Sequence, residues 1–240
     1  MKTEGRNAVT ELLKTGKNIE KIMLEKGAQG SLSVIFAEAR KKNVRVQFVD
    51  RQVLDKESPT RRHQGVIAFT TDYEYFDLDE IIENKKNEKG GFIVLCDGIE
   101  DVHNLGSILR VAECAGADGV VIPKSGGASV TESVIRISAG AAEHIKVAKV
   151  PSINHAVEKL QANGYWVYAL EAGGEDIYLE NFSGNVALIV GGEDSGVKRL
   201  TKEKSDKILS IPLQGKVNSL NASVALGIAA YEVVRSRLRS

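Results

Sequence analysis

A chain of 240 residues with only two cysteines, four prolines, 5% aromatic residues and no net charge is defined first by what it lacks. Two thiols exclude a disulfide framework and a cysteine-based zinc site, and no metal is expected. Cys96, inside FIVLC, and Cys114, in an apolar helical stretch, read as fillers of core volume. Scarce proline beside an ordinary 42% hydrophobic and 27% charged composition excludes a disordered or fibrous chain. No apolar run reaches the roughly 18 residues of a membrane-spanning helix, and Met1 to Asn7 is polar where a signal peptide is apolar. A cytoplasmic protein with no membrane partner is expected.

Zero net charge argues at first against a nucleic-acid partner, whose phosphates normally select a basic protein. The average conceals an asymmetry. Residues 1–73 hold 14 Lys and Arg against 9 Asp and Glu, whereas residues 74–240 hold 18 against 23, so the ends differ as +5 and −5.

Hydrophobic periodicity divides the chain at the same place. Residues 1–73 alternate helical patterns (7–14, 32–42 and a short one after Arg51) with strand patterns (19–24, 44–49, 66–70), giving a small α/β domain. Residues 74–90 are charged and end in glycine, the composition of an exposed linker. Residues 91–240 repeat apolar strand and helix: FIVLC, GVVIP, IKVAKV, YWVYAL, VALIV and ILSIP are separated by helical stretches and followed by a long closing helix, 220–238. Continuous apolar strands alternating with helices predict an α/β fold whose mostly parallel sheet is covered on both faces. Ligands bind beyond the carboxyl ends of such strands, so the loops there are the places to seek chemistry.

Three of those loops stand out. In DGIEDVHNLGSILR (97–110), His103 or Asn104 is placed to cap the next helix, with Arg110 near its second turn. GGEDSGVKR (191–199) follows VALIV, and its glycines let backbone approach a ligand, with Glu193 and Asp194 as acceptors. Its spacing does not match a dinucleotide fingerprint. In IPLQGKVNSLNASVALGIAAYE (211–232), capping accounts for one polar residue but not for Asn218, Ser219 and Asn221 within four positions.

Together, NLGSILR, GGEDSG and IPLQGKVNSLNASVA resemble, in order, the three motifs of the SpoU/TrmH class of RNA ribose methyltransferases in the SPOUT superfamily. GRNAV (5–9) and RRHQGVIA (61–68) are similar to the ribosomal-protein-like substrate-binding domain of the bacterial 23S rRNA guanosine-2'-O-methyltransferases. The resemblance implies methylation of a ribose 2'-hydroxyl by S-adenosylmethionine, an RNA partner of the 23S rRNA kind, a homodimer, and a deep trefoil knot that periodicity alone would never suggest. It assigns Leu170, Gly191, Gly192, Ile211 and Leu220 to the cofactor, and Asn104, Arg110, Glu193, Ser219 and Asn221 to the catalytic set. In the N-terminal domain Arg6, Asn7, Arg61, Arg62, His63 and Gln64 suit phosphate and base contacts.

The cofactor arrives with its methyl group activated, so the protein must position the acceptor and deprotonate it. The family role of Arg110 is to receive the hydroxyl proton. Because a guanidinium stays charged, we read its part as holding a substrate phosphate and stabilising the alkoxide electrostatically. Glu193 suits either a base or a brace for loop amides. The alternatives are a tRNA or other rRNA methyltransferase, a non-catalytic assembly factor, and, more distantly, a nicotinamide or flavin enzyme.

Overall fold

The computed structural model describes residues 2–14, 19–27, 29–58, 60–70, 73–86, 88–193 and 195–239, which leaves Asp194 outside the described residues. The contacts gather into two compact units, Met1–Glu74 and Tyr75–Ser240.

In the first unit the order is β1 (Lys2–Glu4), α1 (Arg6–Lys14), β2 (Ile19–Glu25), α2 (Ser31–Lys41), β3 (Val46–Val49), α3 (Arg51–Glu57) and β4 (Val66–Thr70). The sheet runs β1-β4-β2-β3, with β2 and β3 parallel and β4 antiparallel to both its neighbours. Strand alternation sorts the side chains. Ile22, Leu24, Val66 and Ala68 face Val9 and Leu13 of α1 and Leu32, Ile35 and Ala39 of α2. On the other face, Met23, Val49 and Ile67 pack with Leu54 of α3. β1 escapes a periodicity reading because three residues, none of them apolar, show no alternation.

The second unit begins inside the expected linker. Half of 74–90 does not behave as a connector: α4 (Leu78–Glu83) buries Leu78, Ile81 and Ile82 beneath the sheet, and Phe76 bridges to Ala148. Three apolar positions in a charged string suffice for a two-turn helix once a core is there to receive them. The rest runs β5 (Phe92–Asp97), α5 (Val102–Cys114), β6 (Gly119–Pro123), α6 (Glu132–Ile137), β7 (Lys146–Val150), α7 (Ile153–Ala162), β8 (Tyr165–Asp176), β9 (Asn185–Gly191), α8 (Arg199–Lys204), β10 (Lys207–Ser210) and α9 (Ala222–Arg239).

All six strands are parallel, in the order β10-β8-β9-β5-β6-β7. α4 and α7 cover one face, while α5 and α9 pack on each other and on β6 and β9 over the opposite one. The chain steps outward from β5 to β6 and β7 but later returns to lay β9 against β5. The crevice between β5 and β9 is therefore a topological switch point, where a parallel sheet opens its ligand site.

β8 is longer than its apolar run. Ala169 pairs with Ile208 and Glu175 with Leu209, so residues 170–174 leave the ladder as a five-residue excursion. Gly174 permits the return: a Cβ there would lie 2.5 Å from the Ile208 carbonyl oxygen.

Candidate active site

The site is built on glycines because backbones meet there. A Cβ on Gly192 would lie 2.5 Å from the Gly98 carbonyl oxygen, and one on Gly191 would lie 2.0 Å from the Gly196 carbonyl carbon. The turn after β9 thus presses on the turn after β5, joined by Gly192 N–H donating to the Asp97 carbonyl (3.2 Å) and closed by Gly196 N–H donating to the Gly192 carbonyl (2.8 Å).

Two carboxylates hold this turn from β5 and β8, the strands on either side of β9. Asp97, buried at the end of β5, accepts from the Lys198 amide (3.0 Å) and the Lys198 ammonium (3.1 Å). Glu171, on the β8 excursion, accepts from the next amide back, Val197 N–H (2.9 Å). Neither is among the residues the motifs single out. The signal for Asp97 is an acid closing an apolar strand, and Glu171 gives none until the excursion is known.

At the switch point the side-chain amide of Asn221 donates from one Nδ2 to Asn104 Oδ1 (2.8 Å) and Glu193 Oε1 (2.6 Å). Its Oδ1 accepts from the Ser223 amide and hydroxyl (3.0 and 2.7 Å) and the Val224 amide (3.3 Å), capping α9. Asn104 is not a cap. Asp101 accepts from His103 N–H (2.9 Å), which starts α5 earlier and turns Asn104 inward, where it is buried and paired. Three of the five expected catalytic residues, one from each motif, are thus joined directly.

The other two stand apart. Arg110 is exposed in the third turn of α5, not the second, and makes no ion pair or side-chain hydrogen bond among the described residues. Six residues beyond Asn104 at about 100° per residue, it points roughly 120° around the helix from that side chain. Ser219 is exposed and its hydroxyl is likewise unengaged among the described residues.

Leu170 opens the β8 excursion, Gly191 ends the neighbouring strand β9 and Ile211 follows β10 on the other side, with Gly192 in the turn after β9 and Leu220 ahead of α9. Residues 212–220 are exposed and form no backbone hydrogen bond with other backbone among the described residues. Leu213, Val217 and Leu220 present apolar side chains to solvent. Uncommitted amides and carbonyls beside apolar side chains are the donor set that an adenine and ribose require, so these residues fit a nucleoside-bearing cofactor. Cys96, next to the site, is no nucleophile: burial, and secondarily the Asp97 charge, push its thiol up to about 12. Cys114, expected in the core, is exposed on α5.

In the N-terminal unit His63 is buried rather than turned to RNA. Its Nδ1 accepts from Gly65 N–H (3.0 Å), and Nε2 donates to Asp55 Oδ1 (3.0 Å). Gln64 Oε1 accepts from the Arg6 amide (3.1 Å), while Arg6 Nε donates to the Gln64 carbonyl (3.0 Å) and Nη1 to Ser31 Oγ (3.1 Å). Arg6 and Gln64 therefore tie the turns after β1 and before β4 together. Asn7, Arg61 and Arg62 are exposed.

The profile of the SpoU rRNA Methylase family matches residues 91–231, and that described as RNA 2'-O ribose methyltransferase substrate binding matches residues 3–76. A Bacillus subtilis protein described as a TrmH family tRNA/rRNA methyltransferase, YacO, is 42% identical over 97% of this chain and 94% of its own length. Among solved structures, the SpoU methyltransferase AviRb of Streptomyces viridochromogenes, in complex with AdoMet, shares the fold at a TM-score of 0.64 and 21% identity, covering 100% of this chain and 91% of that one. The A. aeolicus TrmH/SpoU tRNA modifying enzyme matches at 0.58 and 25% identity, over 67% of this chain and 80% of its own.

Proposed function

This chain belongs to the SpoU rRNA Methylase family of S-adenosylmethionine-dependent RNA 2'-O-methyltransferases, and on that premise we propose that it methylates a guanosine ribose of 23S rRNA in the cytoplasm, as a homodimer. The observation that carries the reading is the Asn104–Asn221–Glu193 junction at the switch point, beside a loop with uncommitted backbone. The matched N-terminal substrate-binding profile favours ribosomal RNA, because the tRNA-modifying structure above covers only two thirds of this chain.

When bound, the cofactor supplies an activated methyl group for in-line displacement. Leu170, Gly191, Gly192, Ile211 and Leu220 hold it. Asn221 ties down one oxygen of Glu193, fixing the carboxylate so that its other oxygen has one place to accept a proton or a substrate hydrogen bond. Ser219 orients the ribose. Arg110 binds a substrate phosphate and stabilises the alkoxide. Its position on α5, away from Asn104, supports delivery of this charge to the partner protomer's site rather than its own. The exposed apolar stripe Val224, Tyr231 and Leu238, seven residues apart on α9, supports pairing of protomers along that helix. The return of the chain from the edge strand β10 to α9, packed on α5 and β9, supports the knotted threading of the family.

Transfer of tritium from methyl-labelled cofactor to deproteinised 23S rRNA, with bulk tRNA in parallel, tests the assignment. Label in an alkali-resistant dinucleotide of 23S rRNA is the expected result. Label confined to tRNA moves the substrate, and label in neither RNA rejects the reading.

A further inference from the structure

The expected RNA contacts of the N-terminal unit cluster where β1 ends and β4 begins, and there His63 is buried and Arg6 is committed to Gln64. Its cations gather at the opposite end. Lys2, Phe69 and Lys21 lie in register across β1, β4 and β2, and Ile22 N–H bonds the Arg45 carbonyl, which places Arg45 beside Lys21 at the start of β3. The last turn of α2 delivers Arg40, Lys41 and Lys42 to the same corner, since Val44 N–H returns to the Ala39 carbonyl.

Local structure explains part of this. Cations complement a helix C-terminus, and a charged residue on an edge strand discourages mispairing. The edge-strand reason reaches Lys2 on β1 as well, but neither reason covers Lys21 on the interior strand β2. Their ammonium groups stand 5.5 and 4.7 Å from the centroid of the Phe69 ring, and the Arg40 guanidinium stands 5.7 Å from that of Phe36. An aromatic ring under a cation fixes its position while leaving its charge unneutralised. Lys42 and Arg45 are exposed and form no ion pair among the described residues. The carboxylates nearby are Glu38 and Glu57, which pair with Lys41 and Lys2, and Glu20 on the bulge of β2. Among the described residues, six cations thus stand against three acids. Phe48, 45% exposed on the edge strand β3, packs against Phe36 (5.2 Å between ring centroids) on the α2 face, the side of Arg40 and opposite to that of Lys21 and Arg45.

We propose that this end of the sheet, centred on Lys21, Arg40, Lys42 and Arg45, grips the RNA substrate by its phosphates. Several positioned cations, without a rigid donor pattern for base edges, match the phosphate backbone of a structured RNA. The proposal rests on RNA being the substrate and adds where the N-terminal unit holds it.

The test is binding of fluorescein-labelled, in vitro transcribed 23S rRNA to the full chain from low to moderate salt. Arg40→Glu/Lys42→Glu/Arg45→Glu is compared with Arg61→Glu/Arg62→Glu, and the three Gln substitutions serve if the reversal fails to fold. The α2–β3 triple variant is expected to bind more than tenfold more weakly, with a salt slope about 2 smaller, while its melting temperature and calorimetric cofactor affinity stay as in the wild type. Unchanged affinity and slope, or loss confined to the Arg61/Arg62 variant, overturns the proposal. Should the wild type prefer tRNA, the 23S assignment fails separately and the same variants are read on tRNA. A wild type that binds neither RNA ends both.

Discussion

Asn221 reaches back 117 residues to Asn104 with a 2.8 Å amide-to-carbonyl hydrogen bond, and the same nitrogen also holds Glu193. One side chain thus caps the closing helix with its oxygen and assembles the switch point with its nitrogen. Asn221→Asp separates the two tasks. The carboxylate keeps the cap, but it loses the donor and sets like charge against Glu193. The expected outcome is a melting temperature within a few degrees of wild type and methyl transfer reduced at least a hundredfold. Asn221→Ala should in addition lose about 0.5–2 kcal/mol with the cap. Wild-type turnover in the Asp variant, measured by tritium transfer, would remove the junction from the mechanism.

The turn after β9 depends on Glu171 and Asp97 unequally. Glu171 is about a quarter exposed and accepts one amide, so Glu171→Ala should raise the cofactor dissociation constant several-fold with little change in melting temperature. Glu171→Gln keeps an acceptor and should restore most of the affinity. Asp97 is buried with two donors, so Asp97→Ala should cost stability as well, on the order of 1–3 kcal/mol for the amide left unsatisfied. Titration calorimetry beside thermal melts separates the two effects. Equal affinity in Glu171→Ala and the wild type would reduce Glu171 to a surface residue.

How much of this was visible in the residues alone differs from element to element. VALIV and FIVLC announce buried parallel strands because nothing polar interrupts them, and the loops behind them follow. Asn104 was harder. Asn is a favoured cap, but Asp101, three residues earlier, performs that task, and a partner 117 residues away leaves no local trace. α4 hides in a charged string, and the β8 excursion through EAGG looks like the end of a strand. His63 beside two arginines suggests RNA, yet its burial depends on Asp55 coming round on α3.

Tyr165 yields a prediction independent of catalysis. Its hydroxyl is buried and makes no hydrogen bond among the described residues. Burial, and then the Asp118 charge, push the phenol up to about 12. Unfolded, the phenol ionises near 10.0 and the Cys96 thiol near 9.0, whereas both lie near 12 in the folded chain. Between about pH 9 and 12 the unfolded state therefore holds fewer protons, so stability, complete below about pH 9, falls as pH rises. Burial, and then the Glu180 charge, raise the Tyr168 phenol in the same sense, and Tyr165→Phe removes an unsatisfied donor and one of these titrations. Melting temperatures from pH 7 to 11 should show this variant at least as stable as wild type and with a shallower alkaline decline. A lower melting temperature at pH 7 would show that the hydroxyl has a partner.

Arg110 carries the sharpest test of assembly. An exposed side chain free of ion pairs contributes little to folding, so Arg110→Ala should melt with the wild type while losing nearly all methyl transfer. Arg110→Lys keeps the charge without the planar fork, and should recover little if two phosphate oxygens are gripped together. If the guanidinium serves the partner's site, mixing Arg110→Ala with Asn221→Asp protomers must restore activity. A quarter of the wild-type rate is the limit on statistical pairing, because half the dimers are mixed and each of those contains one intact site. Inactive mixtures, with mixed dimers confirmed by differential tagging, would return Arg110 to the site of its own chain and require α5 to turn when RNA binds.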